Sequence, residues 1–203
     1  MSLSALILKT LKFSKIILAS RSPRRCELLS QLVNNFVVAP NDAPELTFGK
    51  RPSAVVMSNA KAKSLACKER GLIISADTIV FMDGKYYLKP KSRQDAFEML
   101  KSLSNRTHFV YTGVCLRDGS HCAVFYEKSQ VKLKRLSDEI INKYIDTQSP
   151  LDKAGAYGIQ DNIVVQAYKG SYTNIIGLPI ERLGNVLKTF GYDCSRRTTD
   201  GKY

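Results

Sequence analysis

The chain has 203 residues, 44% hydrophobic and 24% charged, with 31 Lys and Arg against 18 Asp and Glu for a net charge of +13. The length suits one sizeable core, and no run of about 18 apolar residues is present to span a membrane. The basic balance favours an anionic partner, nucleic acid or a small polyphosphate, although the cations are scattered and no interleaved run of aromatic and basic residues marks a single-strand binder.

Residues 1–14, MSLSALILKTLKFS, read as an extension. Lysines follow the apolar part and no small-residue cleavage site is present, so it makes a poor signal peptide and the chain reads as cytoplasmic. KIILA (15–19) is a short run of buried-strand type. Ser22 then offers an N-cap, Pro23 suits the first helical position, and Leu28, Leu29 and Leu32 give an apolar stripe ending near Asn34. FVVAP is a second strand and NDAPELTFGKRP a loop; SAVVMSNAKAKSLACKER is a helix stopped at Gly71. LIIS leads to Asp77 as one strand, and TIVF, the turn MDGK and YYL make a hairpin. SRQDAFEMLKSLS is an amphipathic helix with Ala96, Met99, Leu100 and Leu103 inside.

Residues 107–134 give two or three long strands around a DGS turn, and SDEIINKYIDT is a helix capped by Ser137. NIVVQAYKGSY is strand-like, and LPIERLGNVLKTFG closes with a helix stopped at Gly191. Residues 194–203 are a polar, basic tail. Helices alternate with strands and hairpins interrupt the alternation, which predicts an α/β fold with a mixed sheet in a single domain over residues 15–193. The five cysteines form no CxxC pair and the two histidines complete no zinc pattern, as expected for reduced thiols.

Six places invite chemistry. Arg24 and Arg25 stand in the first turn of a helix, where the dipole disfavours cations. A phosphate bound there, with hydroxyls from Ser20 and Ser22, offsets that repulsion; two arginines on a solvated face are the alternative. Asp77 ends an apolar run, either as an exposed strand-end residue or as a metal ligand or activator of water. Lys89 precedes Pro90 in extended backbone, where it either neutralises phosphate or faces solvent; Glu45 in its Pro-rich loop is equally ambiguous. DKAGAYGIQ (152–160) and KGSYTNIIGLP (169–179) carry glycines that permit close backbone approach to a ligand or simply form tight turns.

LASRSPRRCELL, ADTIV, LKP, DKAGAYGIQ and GSYTNIIGLP, in this order and spacing, resemble the Maf (septum-formation inhibitor) family of nucleotide pyrophosphatases from about residue 15 to residue 190. The resemblance implies an elongated mixed sheet with flanking helices and a cleft between two lobes, similar to the inosine triphosphate pyrophosphatases. It implies hydrolysis of a nucleoside triphosphate to the monophosphate and pyrophosphate with a divalent cation (Mg²⁺, Mn²⁺ or Co²⁺), in a homodimer. The family's signature residues fall on Ser20, Arg24, Arg25, Glu45, Lys61, Asp77, Lys89 and Gln160. In that reading Asp77 and Glu45 hold the metal and act on water together with Lys89, while Ser20, Ser22, Arg24, Arg25, Lys61 and Gln160 bind substrate. DKAGAYGIQ resembles the branch acting on dTTP and UTP rather than on 7-methyl-GTP. Asp161 and Asn105 stand where the family commonly has glycine: the first adjoins the base pocket, the second a turn. The rival is a nucleotide- or nucleic-acid-binding regulator of the same fold without turnover.

Overall fold

A computed structural model describes residues 15–192; the N-terminal extension and the basic tail lie outside the described residues. Seven strands form one mixed sheet in the order β2-β1-β3-β5-β6-β7, with β4 also on β3. The strands are β1 (Ile16–Leu18), β2 (Val37–Val38), β3 (Leu72–Met82), β4 (Lys85–Tyr87), β5 (Thr107–Asp118), β6 (His121–Leu133) and β7 (Val165–Lys169). The helices are α1 (Pro23–Ser30), α2 (Pro52–Ala66), α3 (Arg93–Leu103), α4 (Asp138–Thr147), α5 (Tyr172–Ile176) and α6 (Ile180–Thr189). Pairs β1–β2 and β1–β3 are parallel and the rest antiparallel, so the expected mixed α/β sheet is present. No described helix is long and apolar enough to cross a membrane.

The long strand β3 organises the molecule. One edge pairs with β5 from Ile73 to Phe81. The other pairs with β1 at Leu72, Ile73 and Ile74 and with β4 at Val80, Phe81 and Met82, leaving a gap between. Unlike the two strands expected from sequence, β3 runs unbroken through Asp77, whose polar side chain is tolerated because it faces that gap with partners. Even-numbered residues of β3 point to two apolar clusters. Leu72, Ile74 and Ala76 pack with α1 and α6, while Val80 and Met82 pack with α3 and α4. The two clusters form two lobes, and the gap along β3 is the floor of the cleft between them.

Helix α2 crosses the opposite sheet face, with Val55, Val56, Asn59, Ala60 and Ser64 turned inward. The crossing needs Gly113: a Cβ there would lie 2.3 Å from Val56 O and 2.7 Å from Met57 N, both rigid backbone. Gly113→Ala is therefore expected to displace α2 and destabilise the fold by about 1–3 kcal/mol, read as a lowered Tm. The helix ends at Ala66, four residues before the predicted Arg70, because the Arg117 guanidinium takes the carbonyls of Ser64 (2.7 Å) and Cys67 (3.4 Å) at its end. Residues 107–133 resolve into two strands, and the short helix α5 emerges from the turn predicted over residues 169–179. Asn105 adopts a left-handed φ of 57°, so the expected turn accepts Asn in place of glycine.

Candidate active site

The gap along β3 opens into a cleft of about 630 Å³. Asp77 projects into it, 6% exposed. Two residues of α2, one turn apart, meet its carboxylate: Asn59 Nδ2 donates to Oδ2 at 2.9 Å and Lys63 Nζ to Oδ1 at 2.7 Å. The same ammonium lies 2.8 Å from Glu45 Oε1, so two carboxylates converge on one cation. Glu45 is positioned through Asn59, which receives the Leu46 N–H at 2.7 Å and donates to the Leu46 carbonyl at 2.9 Å. The loop is thus fastened to the helix that also holds Asp77.

Lys61, the substrate-binding lysine expected from sequence, is not in this group. It lies exposed on the outer side of α2, outside the cleft lining. On a helix Asn59 and Lys63 share a face at i, i+4, whereas Lys61 is turned about 200° from Asn59. The sequence signal was available: Lys63 continues the Val55, Val56, Asn59 stripe and Lys61 does not.

The two arginines of α1 have different surroundings. Arg25 is held by the lobe joint. Its Nε donates to Gly177 O (2.9 Å), Nη1 to Ala76 O (2.8 Å) and Ser20 Oγ (3.2 Å), and Nη2 to Thr78 Oγ1 (3.0 Å). On the edge of β3 between β1 and β4, which no strand pairs, Ala76 O accepts from the guanidinium in place of a strand partner. Desolvation lowers its pKa and Asp77 opposes the shift. Arg24 instead meets Asp152, with Nη1 on Oδ2 at 2.5 Å and Nη2 on the main-chain carbonyl at 3.2 Å. Burial works against ionised Asp152, but hydrogen bonds from Lys153 and Arg24 outweigh it and hold the carboxyl below its ordinary range.

Ser22 occupies the N-cap position with extended backbone, yet its hydroxyl caps nothing; its N–H donates to Ser20 Oγ at 3.2 Å. Ser20, Ser22, Lys89 and Gln160 all line the cleft. Lys89 forms no ion pair among the described residues. Partial desolvation and then Arg25 lower its pKa, against the pull of Glu45.

The far wall contains residues the sequence did not single out. Tyr157, 5% exposed, lines the cleft and its hydroxyl lies 2.6 Å from Nε2 of the fully buried His108. Tyr144 donates to Asp161 Oδ2 and accepts the Gly158 N–H at 2.9 Å, so Asp161 fastens the loop behind the cleft. Gly155 is left-handed (φ 72°), and a Cβ there would lie 3.0 Å from Val80 Cγ2. Its close approach is to β3 rather than to a ligand.

Burial lowers the pKa of His108 from 6.5 to about 4. The unfolded chain gains a proton below 6.5 while the folded chain holds the imidazole neutral. Stability is therefore expected to fall as pH drops from about 6.5 to 4, by on the order of 3 kcal/mol. Thermal melts across that range check this, with His108→Gln expected to flatten the dependence.

Residues 15–190 match the family described as Maf-like protein. The chain belongs to the Maf family. A dTTP/UTP pyrophosphatase of Thermosipho melanesiensis is 47% identical over 174 residues, 85% of this chain and 96% of the relative. Others with the same name come from Caldanaerobacter subterraneus, 45% identical over 86% of this chain and 88% of the relative, and from Agathobacter rectalis, 41% identical over 89% and 99%. The motifs quoted above all fall within the matched residues 15–190, and Asp77, Lys89 and Gln160 line one cleft.

Proposed function

We propose that this Maf protein hydrolyses dTTP, UTP and related pyrimidine nucleoside triphosphates to the monophosphate and pyrophosphate. The observation carrying this reading is the Asp77–Lys63–Glu45 group in one cleft with Arg24, Arg25 and Lys89. A triphosphate carries roughly four negative charges near neutrality, and a cleft that cleaves it must hold several cations close to buried acceptors. Lys89 is available to the phosphates directly. Arg24 reaches them by exchanging its Asp152 partner for a phosphate that accepts the same two-pronged donation. Arg25 keeps the cleft floor in place and adds positive potential. Asp77, fixed by Asn59 and Lys63, accepts a proton from the attacking water as the phosphoanhydride bond between the α and β phosphates breaks. Gln160 and Ser22 lie at the cleft wall as contacts for substrate.

A divalent cation fits this arrangement. Asp77 and Glu45 approach the same ammonium, so their carboxylates converge. Mg²⁺ is ordinarily held by one or two carboxylates, with substrate phosphates and water completing its shell. No group of three or more His, Cys, Asp or Glu that could hold a metal occurs among the described residues. When bound, the ion supplies charge neutralisation on the phosphates and a more acidic water. The homodimer implied by the family resemblance and the cytoplasmic location read from the sequence belong to this proposal, and sedimentation of the full chain tests the dimer.

The test is pyrophosphate release from dTTP, UTP, CTP and 7-methyl-GTP with Mg²⁺, Mn²⁺ or Co²⁺ and with chelator. Turnover of dTTP and UTP that chelator abolishes is expected; activity on 7-methyl-GTP alone would overturn the substrate assignment. Within this reading Lys63→Ala is expected to lower kcat/KM on dTTP by roughly a hundredfold, as loss of one preorganised electrostatic group does, while Lys61→Ala leaves it unchanged. Equal effects of the two substitutions would remove Lys63 from the site.

A further inference from the structure

The half of the α2-bearing sheet face that α2 does not cover has a composition of its own. Beyond Gly113, strand register brings Tyr126 opposite Gly113, Lys128 opposite Tyr111, Gln130 opposite Phe109 and Lys132 opposite Thr107. Phe81 stands opposite Phe109 on the other side, and Lys169 opposite Gln130. Side chains alternate across a sheet, so these residues share one face. Their rings form a chain: Phe81 meets Tyr86 at 5.1 Å and Tyr111 at 6.5 Å, and Tyr111 meets Tyr126 at 6.4 Å. Lys128 Nζ lies 3.8 Å from the centre of Phe109 and 5.5 Å from that of Tyr111. Tyr126 is 39% exposed, and Lys128, Lys132 and Lys169 are exposed.

We propose that this open face binds single-stranded polynucleotide, separately from the nucleotide cleft. Three observations select that occupant. The aromatic rings are half-exposed on a rigid sheet at two-residue steps of about 7 Å, the platform on which successive bases stack. Lysines rather than carboxylates stand among them: the paired positions of β5, β6 and β7 on this face carry no Asp or Glu, because Glu127 points to the opposite face, where it meets Arg182. A phosphate backbone supplies the anions that these lysines lack. A second copy of the chain would not, since a two-fold contact sets lysine against lysine on a chain of net charge +13. The face was invisible along the chain because its aromatics and lysines come from five strands.

Fluorescence anisotropy with labelled oligouridylate of about 12 nucleotides, a length within the usual site sizes, tests this on the full chain. The single strand is expected to bind at least about tenfold tighter than a duplex of the same length. Neutralising about three phosphates gives a slope near −2 in log K against log salt. The double variant Lys128→Glu, Lys132→Glu should weaken binding by roughly tenfold or more, and Tyr126→Ala by roughly five- to a hundredfold, as loss of one stacked base does. Both lie outside the cleft, so dTTP hydrolysis should stay at the wild-type rate, which also reports that the variants fold. Lys89→Ala, in the cleft, should bind the oligonucleotide as wild type does. Equal binding of duplex, loss of binding in Lys89→Ala, or indifference to the lysine pair would each overturn the proposal. So would a dimer that Tyr126→Ala dissociates, because the face would then belong to a second copy.

Discussion

Asp77→Asn is expected to lower kcat on dTTP by roughly a thousandfold while the protein still folds, since removing a positioned acid–base group that also carries charge for the phosphates acts on the chemical step. Asparagine fits the same space and keeps one oxygen for Asn59 or Lys63. Lys63 also retains Glu45 at 2.8 Å, so its ammonium is not left alone. The stability loss should accordingly stay near 1–2 kcal/mol, that of one charge-assisted hydrogen bond. Steady-state kinetics and a melt on the same preparation separate the two effects. A folded variant with wild-type turnover would sink the role given to Asp77.

The second large effect is on stability. Arg25→Ala removes donors from Gly177 O, Ala76 O, Ser20 Oγ and Thr78 Oγ1 at once. Ala76 O takes its hydrogen bond from Arg25 on the edge of β3 between β1 and β4, and a buried acceptor left bare costs about 1–3 kcal/mol. A total of about 3 kcal/mol is expected, which for a chain of this size lowers Tm by about 6–12 °C. Activity should fall with it, because the same residue sets the cleft floor. Arg25→Lys should recover little of either, since one ammonium cannot span four acceptors arranged for a planar fork. By contrast Arg24→Ala should leave Tm nearly unchanged and raise KM, its present partner being the half-exposed Asp152. If both arginine variants melted alike, the division between a fold-bearing and a substrate-bearing arginine would be wrong.

That division marks how far the sequence could be read. The doublet at a helix N-terminus announced an anion site, and the motif order announced the family, but nothing local distinguishes Arg24 from Arg25. Their roles depend on which side of α1 faces the unpaired edge of β3, a property of strand pairing far away in the chain. Lys63 was legible, since helical spacing from Asn59 places it inward and Lys61 outward, yet the family resemblance fell on Lys61, which lies outside the cleft lining. Asp77 was placed at a strand end because a carboxylate inside an apolar run is costly; the strand continues because Asn59 and Lys63 satisfy it. Tyr157 and His108 gave no signal, being an ordinary aromatic and a lone histidine until the fold brought them within 2.6 Å. The alternation of strands and helices, by contrast, is local chemistry, and it led directly to the mixed sheet.

The cleft is proposed to cleave a triphosphate between its α and β phosphates. The most direct measurement is product analysis after incubating the wild-type chain with UTP and Mg²⁺ in ¹⁸O-labelled water. UMP and pyrophosphate in equal amounts, with one product carrying the label, are predicted. UDP and inorganic phosphate, or unreacted UTP from a protein that still binds it, would contradict the account.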